Sequence, residues 1–374
     1  MSSKNNMVTL YIDPPSHHFL NNKLFGESSG ELARNSILAP YYHLKQYMNS
    51  HGIDVFTADF ISSHSNDSKI VYISLGITSN YKRLSKRKDI CLSAFFAMEC
   101  PNVEPSIFKK LPDVKKYIKR IYTWSDSESL YPFVKQNLTY NKFYWPQPFN
   151  TVHDDIWTNT DRKFLVMINS NKLPRDYYQE LYTERIRAAA YFAEFNEIDL
   201  YGGGWDMPSN RLGTTWEPAT LRGLRHKIQA QWQKVLPDKV LAKARTAYRG
   251  KAASKDETLG QYTFSLCFEN AIIKGWITEK IFDCIYSGTI PIYWGSPDIE
   301  EVIPPECYID MRKFNNYDEL REHLKSLSRT DINNYKEAGK AFLASDLFEP
   351  FKMESFTNLF KSIIQQDANF EFND

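Results

Sequence analysis

The sequence predicts a two-domain α/β protein with a parallel sheet in each half. Three observations predict it. The chain has 374 residues, more than one hydrophobic core usually serves. Short apolar, β-branched runs alternate with helical-period segments over the first 125 residues or so, as a parallel sheet requires. That rhythm breaks over 131–162, where Pro132, Pro146 and Pro148 fall among Asn, Tyr and Trp, and then restarts. The break divides the chain into an expected N-terminal domain over 1–150 and a C-terminal domain over 151–350. Residues 351–374 form a last helix and acidic tail that could pack back on the first half.

In the first half the expected strands are Met7–Ile12, Ile53–Phe56, Ile70–Leu75, Asp89–Met98 and Arg120–Trp124. Ser16–Gly30 is polar and reads as a loop containing His17 and His18. Ile37, Tyr41, Leu44 and Met48 share a helix face that His51-Gly52 terminates, and 106–119 is a Lys-rich helix. In the second half Phe164–Asn169 and Ile198–Tyr201 are strands around a helix at Tyr177–Phe195. Residues 216–250 are basic and mostly helical, with Arg222, Arg225, His226 and Lys227 in one run. Tyr262–Phe268 is a strand, Thr278-Glu279-Lys280 opens a helix that Ser287-Gly288 closes, and Thr289–Trp294 is a buried strand. A strand at Tyr308–Met311 and helices at 316–328, 331–345 and 354–365 complete the chain.

Composition excludes several classes. Hydrophobic content of 42% and charged content of 24% are globular values. A net charge of +1 gives no global reason to expect nucleic acid. The cysteines at 91, 100, 267, 284 and 307 have neither CxxC nor zinc-ligand spacing, which favours a reducing compartment. The first residues lack an apolar leader, and no window reaches the ~18 apolar residues of a membrane span. The expectation is a cytoplasmic protein, at most peripheral on the inner face of a membrane. No GxGxxG or P-loop follows a strand, and Gly202–Gly204 does not open a helix, which weakens dinucleotide and P-loop readings.

The chemistry is concentrated in residues 268–297. FENAIIKGWITEKIFDCIYSGTIPIYWGSP resembles the signature of the α-1,3-fucosyltransferases of glycosyltransferase family 10: Phe268-Glu269-Asn270, an aromatic at Trp276, Ile277–Lys280, Asp283, Gly288–Pro291 and Tyr293-Trp294-Gly295. Cys307–Phe314, Val166–Asn171 and the Arg185 helix leading to Tyr201-Gly202 are similar to further family segments. In the first half Met98-Glu99-Cys100-Pro101 looks like the family's Glu-x-Pro segment. Trp276 stands where the family usually has Tyr, and Lys274 near an Asp of animal members. The membrane anchor and disulfides of animal members are not matched, which fits a bacterial type.

The resemblance implies two facing Rossmann-like domains across a cleft, the GT-B arrangement, and inverting transfer of fucose from GDP-fucose to a GlcNAc hydroxyl of a surface glycan or lipopolysaccharide. Such a transfer needs cations for the leaving diphosphate and a base for the acceptor hydroxyl. The roles it implies are Arg185 and Lys280 on the diphosphate, with Asn270, Glu269, Glu279, Trp276 and Tyr201 in the donor site. Glu99, at a strand's carboxyl end, is the implied base, with Glu104 its competitor, and burial there would raise its pKa. On residue type alone Glu279-Lys280 is an ordinary helix start, Arg185 a surface ion pair, and Glu99 equally a loop cap. No metal site is expected, and no cofactor beyond the donor substrate; Mn or Mg would at most stimulate. The partners implied are a GDP-sugar and a glycan, with no nucleic acid and only weak membrane contact. The alternatives are another GDP-activated deoxysugar and a non-catalytic glycan- or nucleotide-binding module.

Overall fold

The computed structural model describes residues 8–26, 38–62, 69–206 and 238–372, with positions 228 and 231. Most of the basic 216–250 segment, including Arg222, Arg225, His226 and Lys227, lies outside the described residues. The chain divides into two compact units, one of Met1–Pro148 with Phe348–Asp374 and the other of Phe149–Leu347.

The first unit is built on six parallel strands: β1 (Val8–Asp13), β2 (Asp54–Thr57), β3 (Lys69–Ser74), β4 (Ile90–Phe96), β5 (Arg120–Thr123) and β6 (Asn141–Lys142), in the order β2-β1-β3-β4-β5-β6. β1, β3 and β4 are apolar nearly throughout and almost wholly buried, as central parallel strands covered on both faces must be. The helix Pro105–Val114 buries Ile107, Phe108, Leu111 and Val114, one stripe of its surface. The C-terminal helix Met353–Ala368 belongs to this unit. Its Phe360 ring stacks on Phe96 of β4 at 5.4 Å, and Asp367 bonds Lys119 and Arg120 at 2.8 Å each.

The second unit carries five parallel strands: β7 (Lys163–Ile168), β8 (Ile198–Tyr201), β9 (Tyr262–Phe268), β10 (Ile290–Trp294) and β11 (Ile309–Asp310), ordered β11-β10-β9-β7-β8. Leu165 pairs with Phe264, and Phe264 with Ile290, so β7, β9 and β10 end at nearly one level. The helix Tyr182–Glu194 packs its Ile186, Ala189, Phe192 and Ala193 into the sheet core, with Leu241 and Ala244 of the helix Lys239–Thr246 beside them.

Several local expectations shift. The helix expected from Tyr177 starts at Tyr182, because Glu180 accepts from the Thr183 N–H and hydroxyl and caps it. The stretch 131–162 is less irregular than its prolines suggest. A helix runs over Ser127–Val134 through Pro132, started by Asp126 accepting from the Ser129 N–H, and another covers Asp154–Trp157. Ser16–Gly30 contains two short 3-10 turns at His17–Phe19 and Lys23–Phe25, and both histidines are exposed.

Candidate functional site

The second unit gathers its charged groups at the carboxyl ends of β7 and β9, where an open parallel sheet binds ligands. Glu269, directly after β9, is 0% exposed, and its N–H bonds Trp294 O at 2.8 Å, locking it to β10. Its oxygens accept from the Thr278 N–H (2.9 Å), the Thr278 hydroxyl and Lys280 Nζ (3.0 Å). Glu269 thus caps the helix Glu279–Tyr286 that Thr278 begins, and ties its first turn to the strand. Gly295 leaves room for this: a Cβ there would meet Glu269 Cγ at 2.6 Å.

Lys280 also donates to Thr278 Oγ1 at 2.7 Å and lies 3.7 Å from Glu279 Oε1. Burial alone would lower its ammonium pKa, but Glu269 and Glu279 outweigh burial and raise it, while Arg185 pushes the other way. Arg185 reaches the same region from the helix Tyr182–Glu194. It is 4% exposed, donates from Nε and Nη2 to Phe268 O (3.2 and 2.7 Å) and from Nη2 to Asn270 Oδ1 (2.9 Å). Its guanidinium also lies over the Tyr182 ring at 4.7 Å. Two cations are therefore held near enough to repel.

Glu279 is the open member, its side chain 52% exposed. Partial desolvation of its carboxyl favours the neutral form, yet Lys280 and Lys255 hold it down at about 2. Lys255, which the sequence reading did not single out, is the first residue of the helix Lys255–Leu259. Its ammonium bonds Asp283, one turn beyond Glu279, and lies 3.8 Å from Glu279 Oε1. Burial raises Asp283 to about 6 against the pull of Lys255, so it remains ionised at neutral pH. A small cleft beside this group is lined by Asn169, Lys255, Cys267, Lys280 and Cys284.

The structure separates other expected site residues from this cluster. Trp276 is 2% exposed, so its ring is packed inside the loop instead of being offered for stacking. That loop is pinned by the Gly275 N–H donating to Ser296 Oγ and Asp298 Oδ1. Tyr201 ends β8, but its hydroxyl is 3.3 Å from that of Tyr262, the first residue of β9, beside Asp199. Its hydroxyl is thus engaged on the Tyr262–Asp199 side of the sheet. Glu269 holds Lys280 in place and, fully buried, does not face solvent. Asn270, half-buried, adjoins Arg185.

In the first unit Glu99 follows β4 and is half-buried, with the Cys100 N–H donating to its Oε1 at 2.8 Å. Glu104 Oε1 accepts from the Ser106 hydroxyl at 2.5 Å. A further carboxylate, Asp13 at the end of β1, is fully buried and bonded by Tyr72 and Asn80. Burial raises its pKa despite those bonds. Among the described residues no cluster of three or more His, Cys, Asp or Glu is placed to hold a metal ion.

A strand-end pair of cations thus lies beside a helix N-terminus, Lys280 carried by the FEN-to-YWG stretch and Arg185 by the helix Tyr182–Glu194. Residues 211–338 match the family described as "Glycosyltransferase family 10 (fucosyltransferase) C-term". The match to family 10 takes in Glu269, Asn270, Trp276, Glu279, Lys280, Lys255 and Asp283, and leaves out Glu99, Arg185 and Tyr201.

Individual relatives agree with this. An α-(1,3)-fucosyltransferase of Helicobacter pylori is 35% identical over 130 residues, 32% of this chain and 26% of that protein. A GDP-fucose protein O-fucosyltransferase 3 of Xenopus laevis is 36% identical over 74 residues, 20% of this chain and 16% of that one. The similarity thus spans about a quarter or less of these relatives. Among solved structures, an α-glucosyltransferase complexed with UDP and DNA superposes with a TM-score of 0.55 at 12% identity, over 96% of this chain and 99% of that one. At that identity the likeness is one of fold alone.

Proposed function

We propose that the protein transfers fucose from GDP-fucose to a GlcNAc hydroxyl of a glycan, in an α-1,3 linkage and with inversion. The observation that supports the donor is the convergence of Arg185 and Lys280 at the end of β9, near enough for Arg185 to oppose the charge on Lys280. A bound diphosphate relieves that repulsion, and the helix dipole at Thr278–Lys280 adds to the attraction. Arg185 and Lys280 neutralise the leaving diphosphate, while Asn270 and Glu279 supply acceptors and donors for the nucleotide sugar. Support for a fucosyl donor comes from the names of the two relatives, an α-(1,3)-fucosyltransferase and a GDP-fucose protein O-fucosyltransferase 3, and from the family match over 211–338.

In the reaction the bond from the anomeric carbon to the diphosphate breaks as the acceptor oxygen bonds to the opposite face of that carbon. The hydroxyl proton passes to Glu99, the base that the Met98–Pro101 segment suggests. A metal ion has no required place in this scheme. The acceptor class, a surface glycan or lipopolysaccharide, rests on the likeness to bacterial members.

Calorimetric titration with GDP tests the donor site. Binding is expected, and Arg185→Ala and Lys280→Ala should each weaken it by 10- to 100-fold, since a charge-assisted hydrogen bond contributes about 1.5–3 kcal/mol. No GDP binding, or full transfer by both variants, would overturn the reading. Preference for another GDP-deoxysugar in a donor panel would keep the site and change the sugar. GDP binding without transfer or donor hydrolysis would leave a binding module.

A further inference from the structure

The first unit carries a charge that the transfer reaction does not use. Residues 69–120 contain twelve Lys and Arg against four Asp and Glu, a local charge of +8 in a chain whose net charge is +1. The fold concentrates it. The helix Pro105–Val114 buries its apolar stripe and leaves Lys109 and Lys110 exposed, with Lys115 and Lys116 just beyond its end. The segment 78–88 lies against that helix: Tyr81 Oη donates to Asp113 (2.6 Å), and Lys110 Nζ to Thr78 Oγ1 (2.9 Å). Lys82 and Lys116 share the one carboxylate, Asp113, at 2.7 and 3.6 Å. Lys86 and Lys88 continue the surface, both exposed.

We propose that this face of the first unit docks on an anionic phospholipid surface. Nine of the twelve cations are lysines, and two of the three arginines are spent, Arg87 on Asp89 and Arg120 on Asp367, which also takes Lys119. What remains is compact, hydrated point charge on flexible stems, which suits a smeared lipid surface potential. Reading nucleic acid relies on arginine forks and stacked aromatic platforms. The aromatic here is Tyr117, 40% exposed and in ring contact with Tyr81 at 5.5 Å, an amphipathic side chain of the kind that settles at a headgroup boundary. This inference does not depend on the transferase reading, because it concerns other residues.

Flotation of the full-length protein with vesicles tests it, using one part phosphatidylglycerol to two parts phosphatidylcholine against phosphatidylcholine alone. Binding is expected only to the anionic vesicles. It should be present at about 0.1 M salt and lost at about 1 M, as the Debye length falls from about 10 to about 3 Å. Removing Lys86, Lys88, Lys109 and Lys110 together as serines should lower the partition coefficient by two to three orders of magnitude, at about fivefold per lysine. All four are exposed, and a circular dichroism melt coincident with wild type would establish that the variant is folded. A variant that floats like wild type would overturn the proposal, as would absence of wild-type flotation at low salt. So would loss of flotation on removing Lys239 and Lys243 instead, which would place the contact in the other basic segment. Tighter binding to duplex DNA than to vesicles at equal salt would transfer the surface to nucleic acid and sink the lipid assignment.

Discussion

Glu269, with no exposed surface, holds the Lys280 ammonium at 3.0 Å and takes the Thr278 N–H at 2.9 Å with its other oxygen. One carboxylate therefore sets both the start of a helix and the position of the cation proposed to meet the donor diphosphate. Glu269→Gln keeps the shape and removes the charge. It leaves Lys280 with less compensation, so the melting temperature should fall while GDP affinity falls less than in Lys280→Ala. Glu269→Ala strands a buried ammonium and should cost about 3–5 kcal/mol in denaturant unfolding. Unchanged stability in both variants would show that the tether is not what fixes Lys280.

Arg185→Lys separates charge from geometry. The guanidinium bonds Phe268 O twice and Asn270 once, and an ammonium cannot span that fork. GDP affinity should fall about tenfold although the charge is retained, read by calorimetry at fixed ionic strength. Full affinity in the lysine variant would reduce Arg185 to a point charge.

Asp283 and Glu279 stand on the same helix and respond to pH with opposite signs. Asp283, buried beside Lys255, has its carboxyl raised to about 6. Its contribution to stability is present below the ordinary aspartate range and is lost as pH rises through 6. Asp283→Asn should therefore gain on wild type between pH 4 and 6, by about 3 kcal/mol at most. Glu279, held at about 2 by the two lysines against the pull of burial, contributes stability above its ordinary value that is lost as acid brings the pH toward 2. Chemical unfolding of the wild type and both amide variants across pH 2–7 reads the two signs; a flat difference for Asp283→Asn removes the argument.

Gly202 adopts φ +131, and a Cβ there would stand 2.2 Å from Asn169 O, at the ends of β8 and β7. Gly52 has φ +75 with no atom within 4 Å of its Cβ direction. Gly52→Ala should cost about 1 kcal/mol, from backbone strain alone. Gly202→Ala should cost several times as much and weaken GDP binding, since the Asn169 backbone has to move. Equal melting temperatures for the two variants would contradict this.

Asp367 ties the C-terminal helix to Lys119 and Arg120 while 3% exposed. Burial disfavours its charge, but the two cations outweigh burial and hold it at about 2. Its stabilising effect is present above the ordinary aspartate range and is lost as pH falls toward 2, worth about 2 kcal/mol. Asp367→Asn should remove that dependence and lower stability at pH 7. Deleting 348–374 also bares Phe96 of β4 by removing Phe360 and should give insoluble protein.

The sequence by itself determined the two-sheet α/β fold and the stretch that carries the chemistry. Buried parallel strands must be apolar end to end, so β3, β4, β9 and β10 announce themselves locally, and the FEN-to-YWG stretch is contiguous. Helix starts were less legible, because Pro132 resembles a breaker when Asp126 is not seen capping the turn before it. Only the tertiary structure decided which signature residues face outward. Glu269 and Glu279 are both acids in one motif, yet one is sealed under Thr278 and Lys280 while the other stands half in solvent. Lys255 was invisible to pattern because its partner Asp283 lies 28 positions away, and Tyr201 turns its hydroxyl to Tyr262, 61 positions away. A side chain's chemistry follows from its type, but its exposure and its partners follow from residues brought alongside by packing, which no local spacing records.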